Sequence, residues 1–120
     1  WRAYLLTQIA SRAGFDWPNI EGVLKKMDEE VKELREALSL RNRKRIREEI
    51  GDLLFVLANI ARFLRINPEE ALRGTLDKFT TRFLYIETSL CKKGKNLLQS
   101  NLIEMYGLWE RAKRKEKKNF

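Results

Sequence analysis

Two apolar stripes at helical spacing flank a four-residue basic turn. That pairing limits the fold more than any other feature of the chain. Residues 19 to 39 carry Ile20, Val23, Leu24, Met27, Val31, Leu34 and Leu38 on one face of a helix. Residues 43 to 66 carry Ile46, Ile50, Leu53, Leu57, Ile60, Ala61 and Leu64 on another. The segment RNRK, 41 to 44, leaves room only for a tight turn, so the two helices are expected to run antiparallel.

The rest of the chain follows the same pattern. A first helix runs to about Arg12 and stops at Gly14, and GFDWPN forms a loop with Pro18 near the start of the second helix. NPEE is a strong helix start: Asn67 caps, Pro68 takes the first helical position, and Glu69 and Glu70 face the positive end of the dipole. That helix reaches about Lys92 and ends at Gly94. A last helix starts near Asn101, which has capping-box spacing to Glu104. With two prolines and six glycines in 120 residues, and no strand pattern, linker or repeat, the expectation is an all-α antiparallel bundle of about five helices, one domain over 1–120. Phe55 and Val56 point away from the stripe of their helix, so 53 to 58 is apolar nearly all round and calls for cover from a dimer partner. The chain opens at Trp1, already in helical pattern, and reads as the C-terminal piece of a longer protein.

Charge and composition narrow the function. No apolar run is long enough to span a membrane. One cysteine, Cys91, makes no internal disulfide and suits the cytoplasm. Lys and Arg number 25 against 17 Asp and Glu, a net charge of +8 that points to polyanionic partners. Histidine is absent, which excludes histidine-ligated metals, Ser-His triads and imidazole bases.

Two carboxylate pairs stand out. Glu30 and Glu33 lie three apart on the second helix, as do Glu49 and Asp52 on the third. In each pair the first residue lies roughly 70° from the centre of its apolar stripe and the second roughly 130°, turned in the same sense. The pairs 33/49 and 30/52 are both centred on position 41, the turn, so each should sit level across the hairpin. Four carboxylates are thus expected to converge at the rim of the core. Such a cluster repels itself unless a cation joins it, and a hard divalent ion with oxygen ligands fits: Mg²⁺, with Mn²⁺ as a substitute. A di-iron site needs histidine.

These residues resemble the catalytic unit of the MazG nucleoside triphosphate pyrophosphohydrolases, within the all-α pyrophosphatase superfamily. The matching segments are ASRAGFDWP, EEVKEL, EEIGDLLFVLANIARFL, NPEEAL, KFTTRF and LIEMYGLWERAK, in order from about 10 to 113. The resemblance implies a tight homodimer and Mg²⁺-dependent hydrolysis of a nucleoside triphosphate to the monophosphate and pyrophosphate. It implies metal ligands at Glu30, Glu33, Glu49 and Asp52; with no histidine in the chain, the base is then a carboxylate, Glu33 or Glu49, or a metal hydroxide. It implies phosphate contacts from Lys78, Arg82 and Lys113, and a base contact from Trp109. On sequence alone Lys78, Arg82 and Lys113 read more readily as surface charge, and Trp109 equally as core. Arg45 stands where the family has a lysine and keeps the charge. CKKGKNLLQSN departs from the family's acidic pattern. The competing expectation is an inactive basic helical module that binds nucleic acid or a protein partner. The converging carboxylates argue against a polynucleotide, because they repel its backbone.

Overall fold

The computed structural model describes residues 1–118. Five α-helices follow one another: α1 (Arg2–Arg12), α2 (Ile20–Ser39), α3 (Arg43–Phe63), α4 (Pro68–Lys92) and α5 (Leu102–Lys118). A single 3₁₀ turn, Leu97–Gln99, lies between the last two, and no strand occurs among the described residues. None of these helices is long and apolar enough to cross a membrane. The chain forms two compact units, one over Trp1–Ala71 and one from Leu72 onward.

Four helices end in the same way. Past the last turn of each, one residue takes a left-handed conformation: Gly14 (φ 93°), Arg41 (φ 53°), Arg65 (φ 59°) and Gly94 (φ 72°). The next amide then reaches back to a carbonyl inside the helix, as Asn42 does to Ala37 at 3.3 Å and Ile66 to Ala61 at 2.8 Å. Asparagines start the following elements. Asn19 accepts from the Gly22 amide, Asn42 from Arg45, Asn67 from Glu69 and Glu70, and Asn101 from Glu104. The α2–α3 turn is therefore one left-handed arginine followed at once by a cap, which forces the hairpin. Pro18 stands one residue ahead of the Asn19 cap and not inside the helix. Helix α3 stops at Phe63, three residues short of the expected end, because Arg65 turns the chain.

In the first unit α3 packs against both α1 and α2. The buried positions of α2 are Val23, Glu30 and Ala37, and those of α3 are Glu49, Val56 and Asn59. The first row steps by seven and the second by seven and then three, as the facing positions of paired helices do, and both are rotated from the stripes expected from the apolar residues. Leu24, Leu38, Ile50, Leu54, Leu57 and Leu64 remain exposed. The loop before α2 is bolted down by a polar network. Asp16 accepts from the Trp17 amide, from Ser11 and from Arg62 Nη2 at 2.7 Å, and Arg62 also donates to the buried Asn59. Trp17 then lies so close to Gly22 that a Cβ there would meet its ring at 2.8 Å.

The second unit has a small apolar core. Ile86, Leu90 and Leu108 are buried, and Tyr85, Leu97, Met105 and Trp109 pack around them. The 3₁₀ turn opens on a reciprocal cap between Asn96 and Gln99.

Candidate functional site: a buried carboxylate cluster

Glu30 and Glu49 are the centre of the α2–α3 packing face, with only 4% and 8% of their surfaces exposed. They sit in the seam of the hairpin and not at its rim. Asp52, one turn beyond Glu49, is exposed at the edge of the same group. Glu30, Glu49 and Asp52 each offer an oxygen within 4.8 Å of the others. Glu33 is half-buried and stands beside Glu49, outside that trio. Three of the four expected ligands thus converge, and the fourth flanks them.

The electrostatics of the cluster are unbalanced. Burial pushes the Glu49 carboxyl up to about 7, and the adjacent Glu33 and Glu30 carboxylates add to this by accepting its proton and repelling its charge. One oxygen of Glu30 receives Lys26 Nζ at 3.0 Å, which raises the lysine's pKa. The other oxygen of Glu30, and Oε2 of Glu49, are buried with no hydrogen-bond partner. Leaving such acceptors bare is costly, on the order of 1–3 kcal/mol each and more when charged. The donor set is oxygen only, and two of its buried oxygens have no hydrogen-bond partner. This fits a hard divalent cation.

The expected phosphate and base residues fall elsewhere, apart from Arg45. That residue is half-buried on the first turn of α3, four residues ahead of Glu49. The others gather in the second unit. Arg82 is paired with Glu116 and lies over the Trp109 ring at 5.1 Å. Phe79 leans on that ring at 5.6 Å. Lys78 is exposed one turn before Arg82, and Lys113 is half-buried on α5. Trp109 therefore packs against the core and carries a guanidinium on its face as well.

Three features were not singled out in the sequence. Lys26 precedes Glu30 by four residues, a helical ion-pair spacing that could have marked it. Glu116 lies in a lysine-rich tail with no signal of its own. The third is a cavity of about 190 Å³ in the first unit, walled by Leu6, Thr7, Phe15, Trp17, Phe55 and Asn59. Phe55 follows Asp52 by three residues on the same helix.

An all-helical chain with a buried, oxygen-only carboxylate cluster in a helical hairpin defines a narrow class. Residues 19–84, more than half of the chain, match the MazG nucleotide pyrophosphohydrolase domain, and the chain belongs to that family. It is 44% identical over 104 residues to the nucleoside triphosphate pyrophosphohydrolase/pyrophosphatase MazG of Thermotoga maritima, covering 87% of this chain and 40% of that protein. It is 33% identical over 119 residues to the nucleoside triphosphate pyrophosphohydrolase of Escherichia coli K12, covering 96% of this chain and 44% of the relative. It is 46% identical over 74 residues to the uncharacterized protein YabN of Bacillus subtilis, covering 62% of this chain and 15% of that one. The chain thus spans less than half the length of each of these relatives.

Proposed function

We propose that this chain hydrolyses nucleoside triphosphates to the monophosphate and pyrophosphate, with Mg²⁺ held by Glu30, Glu49 and Asp52. The observation that carries this reading is the pair of orphaned, buried oxygens on Glu30 and Glu49 inside a three-carboxylate cluster. The names of the Thermotoga and Escherichia relatives supply the reaction class. The matched segment runs from the first unit into the second, which supports one catalytic domain.

When bound, Mg²⁺ supplies positive charge that offsets the phosphate oxygens and polarises the phosphoryl group. Water attacks the α-phosphorus, the bond to the bridging oxygen breaks, and pyrophosphate leaves. Glu33 takes the proton of that water. Of the two candidate bases it is the one outside the ligand trio, and it already touches Glu49. Arg45, Lys78, Arg82 and Lys113 donate to phosphate oxygens. The nucleobase is assigned to the aromatic-walled cavity on α1 and α3 and not to Trp109, whose ring is engaged by Arg82 and Phe79. The exposed Leu24, Leu54 and Leu57 support a homodimer that covers them.

Pyrophosphate release from a panel of nucleoside and deoxynucleoside triphosphates, with Mg²⁺ and with a chelator, tests this. Release that requires the metal is expected. No release from any nucleotide would sink the hydrolase reading.

A further inference from the structure

In the second unit the Arg82 guanidinium is already occupied. Its Nε donates to Glu116 Oε1 at 3.0 Å and its Nη2 to Glu116 Oε2 at 2.9 Å. This two-point pairing uses the same edge of the fork that a phosphate would take. The partners are 34 residues apart, so the pair exists only because α4 and α5 pack together. Trp109 supports the guanidinium from below, at 5.1 Å. The arginine thus has a second contact on Trp109, while Glu116 reaches it from near the end of α5. Neither side chain is sealed: 16% of Arg82 and 29% of Glu116 remain exposed, so an incoming anion can reach both.

The pocket's charge is only partly offset. Lys78 and Lys113 lie close enough to act on the Glu116 carboxyl. Together with the dominant Arg82 hydrogen bonds they hold it below the usual carboxylate range, against the opposing effect of burial. Glu110 also acts on Arg82, so three cations stand against Glu116, which is hydrogen-bonded to one of them, and the more distant Glu110. An anion that carries several charges can engage all three, whereas Glu116 satisfies one.

We propose that Glu116 is a built-in occupant of the Arg82 phosphate site: its carboxylate holds the guanidinium until a polyphosphate displaces it, setting a threshold that a triphosphate passes and a monophosphate does not. This rests on the reading of Arg82 as a phosphate-binding residue. The consequence is selectivity. A triphosphate displaces Glu116 and binds; the monophosphate product competes poorly with it and is released. Glu116 acts here as a positioning residue, through Arg82.

Inorganic tripolyphosphate, titrated calorimetrically into the protein in chelator, is the probe. In E116Q the amide keeps the shape but not the charge. The dissociation constant is expected to fall about tenfold, the scale of one charge-assisted hydrogen bond. The preference for tripolyphosphate over orthophosphate is expected to shrink. A purely structural strut between α4 and α5 would lower the melting temperature and leave anion affinity unchanged. Unchanged or weaker binding in a folded E116Q, or no binding in either protein, would overturn the proposal. A second readout uses the wild-type chain alone. The carboxyl-carbon NMR signal of Glu116 should move to the position of a solvent-exposed glutamate as tripolyphosphate saturates. A signal that stays put at saturation refutes displacement. If no nucleotide is hydrolysed yet E116Q binds tripolyphosphate more tightly, the hydrolase reading falls and this one stands. The reverse pattern removes only the role of Glu116.

Discussion

In the first unit Glu30 and Glu49 turn oxygens into the α2–α3 seam with no donor to meet them. In the second, Arg82 has its fork filled by Glu116 within the same chain. Both regions bury ionisable groups between helices, but one is left short of positive charge and the other supplies its own counter-charge. Packing alone can justify the second, since a paired and hydrogen-bonded charge is tolerated in a partly buried place. It cannot justify the first. An unpaired buried carboxylate weakens a fold, and replacing it by an apolar residue would be easy. The difference therefore sets a cluster whose buried oxygens are unmatched within the described residues apart from a pair that is matched within them.

The largest effect that would break this contrast is at Asp52 and Glu49. Asp52→Asn or Glu49→Gln is expected to lower Mg²⁺-supported pyrophosphate release by a factor on the order of 10²–10³, the scale of losing one electrostatic partner of the transition state. Circular dichroism should show the helical content intact. Retained turnover in both variants would make the carboxylate cluster decorative.

A smaller effect tests the outer flank of the same helix. Gly51 lies on α3 between Glu49 and Asp52. Among the described residues, no neighbouring helix comes within 4 Å of where its Cβ would stand. Gly51→Ala is expected to raise stability by up to about 1 kcal/mol in chemical denaturation, because alanine is the better helix former. A loss of stability would instead place a second copy tightly against this flank.

Much of the hairpin was legible because its signals are local. The asparagine caps, the proline at the start of α4 and the equal spacing of the carboxylates about position 41 each follow from a few neighbouring residues. The phase of the buried face was not. Glu30 and Glu49 are polar and so fall outside any stripe of apolar residues, yet they lie at the centre of the seam. The arginines at 41 and 65 hid two left-handed helix ends that glycine would have announced. The reciprocal Asn96–Gln99 cap is a readable signal that lay inside a segment unlike the family pattern. Glu116 could not be found from spacing, because its partner is on another helix.

The claim on which the rest depends is that the seam of α2 and α3 is built for a cation. Thermal unfolding from pH 5 to 8, in chelator and in Mg²⁺, tests it most directly. The folded Glu49 carboxyl, near 7, holds a proton that the unfolded chain has lost above about 4.5. The folded state therefore binds more protons in that window, and stability should fall as pH rises through it. The carboxyls held low, on Asp16, Glu104 and Glu116, give a slope of the opposite sign that belongs to more acid pH. In chelator the melting temperature is expected to drop from pH 5 to 7 and level off. Mg²⁺ is expected to reverse the drop, most strongly above pH 7, and E49Q to abolish both effects. A flat profile that Mg²⁺ does not move, or the same Mg²⁺ response in E49Q, would contradict a metal site at the seam.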